Sequence, residues 1–424
     1  MNFILKGNIC YNASLTKLRT LDGYVVCENG ISQGAFKELP EKYNSYPVID
    51  CGNQLILPGL CDIHTHAPQY AFRGMGMDLE LLEWLDTYTF PEEANYADVE
   101  YAKEAYDYFV TDLVNGATTR AVIFATVHSE ATLLLMEKLE KTGLITRVGK
   151  VNMDRNSLAS LCESSAEESL LNTEKWISEA TKRFERTKPI ITPRFIPTCS
   201  DELMSGLGAL QKKHGLPVQS HLSENQAEMR WVQELCPDST CYGDAYATHG
   251  LFGGEHVPTI MAHCVWSEGI EEDLIKNNHV YVAHCPGANV NLSSGIAPIR
   301  RFLKRGINVG LGSDVAAGTQ TSIFRAMSDA IGVSKLYWRL INQDAEPLTI
   351  SEALYLATQG GGSFFGKVGS FDKGYEFDAI VIDDRDLKTP KVLTIENRLE
   401  RIIYLGQEYH VTAKYVCGEL IMQK

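Results

Sequence analysis

A chain of 424 residues with 44% hydrophobic residues and 34 glycines can bury a large core and exceeds the commonest single-domain length. Its formal charge of −15 repels phosphate backbones and anionic membranes, which argues against nucleic-acid and membrane partners. No run of about 18 apolar residues marks a membrane span. The opening Met-Asn-Phe-Ile-Leu-Lys-Gly-Asn lacks the basic and apolar regions of a signal peptide. The 11 cysteines include no Cys-x-x-Cys pair, so neither a disulfide framework nor a thiolate zinc site is indicated and a cytoplasmic location is expected.

Residues 1–57 carry short apolar runs broken by turn residues, Asn2–Lys6, Tyr24–Cys27 and Gln54–Leu57, which predict small antiparallel strands. From 58 to 371 short apolar strands alternate with long helical stretches, the pattern of a parallel sheet with crossover helices. The predicted strands are Cys61–His66, Ala117–Phe124, Ile145–Asn152, Ile190–Phe195, Pro217–Leu222, Thr259–Cys264, Val280–Cys285 and Asn308–Asp314. Helical spacing predicts helices over Asp98–Val114 and through the segment holding Trp176, Ile177 and Phe184. Eight strands over about 300 residues fit an α/β fold of the (β/α)8 TIM-type barrel, whose catalytic residues stand at the C-terminal strand ends. Residues 372–424 return to short runs, Asp378–Ile382, Arg401–Leu405 and Tyr415–Met422, so the two chain ends are expected to form one small β-sandwich-like domain.

The strand ends carry the chemistry. His64 and His66 are two residues apart on the first strand and so face one side, where two imidazoles can grip one ion. Strand five ends in Gln219-Ser220-His221-Leu222-Ser223-Glu224, strand six in Ala262-His263-Cys264, and strand eight in Gly312-Ser313-Asp314. Each has a structural reading taken alone: Glu224 suits the first turn of a helix, Asp314 an N-cap, a histidine the core. Their coincidence on one rim favours a metal site, and three histidines with an aspartate are donors that zinc or ferrous iron accepts. Other patterns carry less. His128-Ser129-Glu130 matches half of a cytidine-deaminase-type zinc motif, lacks the Pro-Cys-x-x-Cys half, and reads as a helix start. Gly360-Gly361-Gly362 has no phosphate-loop lysine and reads as a helix breaker, while Cys285-Pro286 has no evident catalytic partner.

Pro58–His66, Ser220-His221-Leu222-Ser223-Glu224, Ala262-His263 and Gly312-Ser313-Asp314 together resemble the amidohydrolase superfamily of metal-bearing barrels that hydrolyse C–N bonds. Within it, His66-Ala67-Pro68-Gln69-Tyr70, Leu81-Leu82-Glu83-Trp84-Leu85, Tyr88-Thr89-Phe90-Pro91 and Thr192-Pro193-Arg194-Phe195 are similar to the guanine deaminases. The resemblance implies one divalent metal ion per subunit, zinc with iron as the alternative, held by His64, His66, His221 and Asp314. Two-metal members carry a bridging carboxylated lysine at the end of strand four. Here that strand ends in Pro193-Arg194-Phe195-Ile196 with Lys188 at its far end, and Lys150 in strand three reads as a pocket-edge lysine, so a mononuclear centre is expected.

The implied reaction is hydrolytic deamination of guanine to xanthine and ammonia by a metal-activated hydroxide. Glu224 would shuttle the proton, Asp314 would share the water's proton, and His263 would orient the water or stabilise developing charge. Gln69 and Arg194 would read the purine edge, Phe195 and Trp84 would wall the ring, and His221 would stand beside it. A homodimer is implied as well. A related amino-heterocycle, an s-triazine or pterin, is the alternative substrate class. A non-catalytic scaffold should have lost metal ligands, and all four stand in place.

Overall fold

In the computed structural model, which describes residues 2–254 and 258–424, the eight expected barrel strands are all found. Leu60–His66 pairs in parallel with Thr118–Phe124, that strand with Ile145–Gly149, and that one with Thr187–Pro189. Val218–Leu222, Thr259–His263, Tyr281–His284 and Asn308–Leu311 form the second parallel set in the same order. The two sets meet through a bridge between Ile191 and Val218. On the other side the Asp314 N–H donates to the His64 carbonyl at 2.9 Å and the His66 N–H to the Val315 carbonyl at 3.2 Å. Every residue of Leu60–His66 and Thr118–Phe124 is buried, as parallel strands between a filled barrel and its outer helices must be.

Strand four begins three residues earlier than the sequence pattern places it, and it is broken into Thr187–Pro189 and Thr192–Pro193. Pro189 and Pro193 have no N–H to give, so its ladder is short. The helix Val99–Asn115 starts where expected because the Asp98 side chain accepts the N–H groups of Glu100 and Tyr101. It turns Ala102, Ala105, Tyr106, Phe109, Val110 and Leu113 inward at helical spacing. The helix Ala166–Arg183 ends one residue before Phe184.

The glycine triplet does not break its helix. The helix Ile350–Tyr355 continues through a π-turn over Leu356–Gly360 and remains helical through Gly362. The glycines let it lie against the barrel wall: a Cβ on Gly360 would stand 2.4 Å from the Val309 carbonyl oxygen, and one on Gly310 would stand 2.7 Å from the Gly361 Cα.

The chain ends share one sheet of seven strands, in the order Glu419–Gln423, Val411–Val416, Ala379–Ile382, Val48–Pro58, Asn2–Ser14, Lys17–Glu28 and Ile31–Phe36. Phe3, Phe371, Phe377 and Tyr415 pack a separate apolar cluster on it, with Phe3 edge-on to Phe377 at 5.3 Å. Two expectations are corrected. Val48–Pro58 runs parallel to Asn2–Ser14, since the chain crosses over after Phe36 rather than turning back in a hairpin. Arg401–Leu405 is the end of a helix, Ile395–Leu405, started by a capping box between Thr394 and Asn397 and burying Leu399, Ile402 and Ile403. The apolar run suggested a strand, whereas the three- and four-residue spacing of those side chains fits a helix.

Two buried cations join the sheet to the base of the barrel. Arg120 donates Nε to Asp378 Oδ2 at 2.6 Å and Nη2 to Glu376 Oε2 at 2.7 Å. Lys414 donates Nζ to the carbonyls of Leu113 and Thr118 at 3.0 and 2.8 Å. Among the described residues no carboxylate pairs with Lys414, and burial pushes its pKa down to about 7. The unfolded chain holds this proton to about pH 10.4. Between those values the unfolded state binds more protons, so stability from this group is present above pH 10 and is lost as pH falls through 7. Urea denaturation of wild type and Lys414→Met at pH 7 and pH 9 should therefore show the difference moving toward wild type by about 2 kcal/mol at the higher pH. A difference independent of pH contradicts this assignment.

Candidate metal centre and substrate cavity

The barrel's C-terminal rim gathers the predicted ligands. His66 Nε2 lies 3.2 Å from His64 Nε2 and 3.2 Å from His221 Nε2. Asp314 Oδ1 lies 3.4 Å from His64 Nε2 and 3.5 Å from His66 Nε2. Imidazole nitrogens meeting tip to tip repel through their lone pairs unless a cation lies among them. Zinc bonds of about 2.0–2.1 Å set tetrahedral ligand–ligand edges of about 3.3–3.4 Å, close to these separations, so the donor set fits one such ion.

Protonation states agree with ligand duty. Burial and neighbouring imidazoles hold His66 and His221 far below the usual histidine range, so both are neutral. His221 Nδ1 stands 2.7 Å from the Arg194 carbonyl oxygen, which can only accept, so Nδ1 carries the proton and Nε2 is bare. Burial alone would raise the pKa of Asp314, but His64, by attraction and a hydrogen bond, and then His263 hold it at about 2. Asp62, behind the site, accepts the backbone N–H groups of His64 and Ser313 and so ties strand one to strand eight.

Lys150 takes no part. It points into a buried pair with Glu163, Nζ to Oε1 2.7 Å, and does not line the cavity, so the pocket-edge expectation is corrected. Among the described residues no lysine lines the cavity. Cys285 is buried with its thiol pKa pushed far up, which removes it as a nucleophile. His128 precedes the helix Ser129–Glu140, as a helix start requires.

Glu224 and His263 face each other across the cavity floor. His263 Nε2 is 3.3 Å from Glu224 Oε2 and 3.7 Å from Asp314 Oδ2, and its Nδ1 is 2.8 Å from Asn289 Oδ1. With Nδ1 facing the Asn289 amide oxygen, Nε2 is left to face the Glu224 carboxyl. Burial, then repulsion from Asp314, pushes the Glu224 pKa up to about 8. Glu224 is not a helix-turn carboxylate: it precedes the cap Asn225, and the capping box of Gln226–Leu235 belongs to Glu228. Asp314 is not an N-cap either, since a loop separates it from the helix Ile323–Leu340. Ser223, His263 and Asp314 have φ of 47°, 73° and 49°, left-handed values that non-glycine residues adopt at a cost and that concentrate at functional sites.

Above these groups lies a partly enclosed cavity. Gln69, Trp84, Arg194, Phe195, His221, Glu224, His263 and Asp314 all line it, together with Leu81, Leu85 and Leu292. All the predicted substrate contacts thus meet in one place. The sequence reading missed Glu93, which is fully buried and binds Arg194 with both carboxylate oxygens at 2.6 and 3.0 Å. It also missed Asn289 and Ser294, whose hydroxyl donates to Glu224 Oε1 at 3.1 Å. A signal for Glu93 existed, since it stands two residues beyond the motif Tyr88-Thr89-Phe90-Pro91.

Comparisons with known proteins agree with this geometry. A family model described as "Amidohydrolase family" matches residues 55–421. Guanine deaminase from Dictyostelium discoideum is 38% identical over 382 residues, 88% of this chain and 84% of that protein. The mouse (Mus musculus) guanine deaminase is 38% identical over 383 residues, 87% and 83% of the two chains. A crystal structure of guanine deaminase from C. acetobutylicum, with guanine bound in the active site, is 47% identical and superposes with a TM-score of 0.96 over 100% of both chains.

Purified protein should carry one divalent ion per chain by elemental analysis, and His66→Ala or Asp314→Asn should reduce that at least tenfold with the fold retained. Two ions per chain, or unchanged content in both variants, contradicts the assigned centre.

Proposed function

Since the chain belongs to the amidohydrolase family, we propose that it is a guanine deaminase that uses one divalent ion, zinc or iron, to convert guanine and water to xanthine and ammonia. The observation that supports this reading most is the convergence of His64, His66, His221 and Asp314, the facing pair Glu224 and His263, and the Arg194–Gln69 edge at one cavity. His64, His66, His221 and Asp314 would hold the ion, which when bound supplies a water acidic enough to attack at neutral pH.

The residues of the chain perform the remaining work. Arg194 and Gln69 set guanine's O6 and N7 edge at one end of the cavity, which turns C2 and its amino group toward Glu224. Trp84 and Phe195 enclose the ring, and Leu81, Leu85 and Leu292 keep bulk water out. As water adds to C2, Glu224 gives its proton to ring N3, which compensates the lost conjugation, and is recharged by a proton of that water. It then passes a second proton to the departing amine, so that ammonia leaves and the water oxygen remains on C2. Asp314 divides its two oxygens: Oδ1 faces His64 and His66, and Oδ2 faces His263. His263, fixed by Asn289, keeps Nε2 beside Glu224 during both transfers.

We place the reaction in the cytosol, where the 11 cysteines, all unpaired, would stay reduced. Among the described residues no helix is long and apolar enough to cross a membrane.

Purified protein should convert guanine to xanthine, followed by ultraviolet absorbance. Glu224→Gln should lower kcat by about 10³-fold with metal content unchanged. Absence of xanthine from metal-loaded wild type, or near-normal turnover in the variant, sinks the reading.

A further inference from the structure

Behind Arg194 and Gln69, which line the cavity, stands a buried carboxylate that does not line it. Glu93 sits on the short helix Phe90–Ala94 and is 0% exposed. Its Oε2 accepts Arg194 Nη1 at 2.6 Å, and its Oε1 accepts both Arg194 Nη2 at 3.0 Å and Gln69 Nε2 at 3.1 Å. The opposite end of the Gln69 amide is fixed as well, since its Oε1 accepts the Ala316 N–H at 3.2 Å. From the same helix the Phe90 ring supports the guanidinium, with Cζ 5.2 Å from the ring centre.

A guanidinium has two forks. The end fork, made by the two terminal nitrogens, is taken by Glu93, which leaves the side fork of Nε and Nη2 as the donor pair for a ligand. The Glu93 charge also balances Arg194 in a cavity proposed to take a neutral base. Held this way, the side fork demands two acceptors, and a purine with a 6-oxo group beside N7 supplies them. A purine without that oxygen leaves a charged donor facing nothing.

We propose that Glu93 is the positioning residue that sets selectivity for a 6-oxopurine, acting through Arg194 and Gln69. This rests on the guanine reading above. Replacing the carboxylate by an amide puts an N–H against an N–H of Arg194 or Gln69, so the fork loses its fixed direction. Replacing it by the shorter aspartate keeps the charge balance, and hence the fold, while the carboxylate no longer spans both partners.

The test compares kcat/KM for guanine and for 2-aminopurine, which keeps the leaving amino group and lacks the 6-oxo group, in wild type, Glu93→Gln and Glu93→Asp. Metal content and thermal melting are measured on the same samples. Wild type should favour guanine by about 100-fold. Both variants should lose at least about tenfold of that preference, with the loss falling on guanine, 2-aminopurine little changed and metal content intact. Equal losses on both substrates, or a preference within threefold of wild type in Glu93→Asp, overturn the proposal. Wild type inactive on guanine sinks the functional reading itself, and that is seen before any variant is compared.

Discussion

The closure of the barrel between its first and last strands is the constraint on which the site depends. Asp314 gives its N–H to the His64 carbonyl, and His66 gives its own to Val315, so the two strand ends are locked in register by backbone bonds. Asp62 repeats the lock with its side chain, accepting from His64 and Ser313. Because the donors stand at residues fixed by this ladder, four groups from strands one, five and eight reach one point without a flexible loop. A slip of one residue would turn His64 and His66 to the barrel exterior. The left-handed backbone at Asp314 and His263 is held in place by the same over-determined surroundings.

Three buried carboxylates, two lining the cavity and one behind it, sit in different surroundings. Asp314, facing three imidazoles, remains ionised and can serve as a ligand. Glu224, buried beside that negative charge, retains its proton more readily and can act as donor. Glu93 is spent on the guanidinium and never faces a reacting atom. Separation of environments for like groups is how one site runs acid and base steps together.

Much of this was legible in the chain. The eight strands follow from the alternation of apolar runs and helical stretches, and the cluster of His64, His66, His221, His263 and Asp314 from residue types at strand ends, whereas Gln69, Trp84, Arg194 and Phe195 were marked by the family resemblance. What escaped has physical causes. Arg401–Leu405 is apolar and short, so strand and helix cannot be told apart until the neighbours Leu399 and Ile402 are seen to share a face. Gly360–Gly362 reads as punctuation, although its use is close approach to Val309, a contact set by tertiary packing. Lys150 stands at the break between the strands Ile145–Gly149 and Val151–Asn152, and only the distant Glu163 decides which way it points. Glu93 and Asn289 act through partners remote in sequence, and pairing of that kind leaves no local pattern.

X-ray absorption at the metal edge of the purified protein tests the central claim most directly. The account predicts a coordination sphere of nitrogen and oxygen alone at about 2.0–2.2 Å, with imidazole scattering from about three histidines. A sulfur scatterer, or a second metal at about 3.5–4 Å, would contradict it.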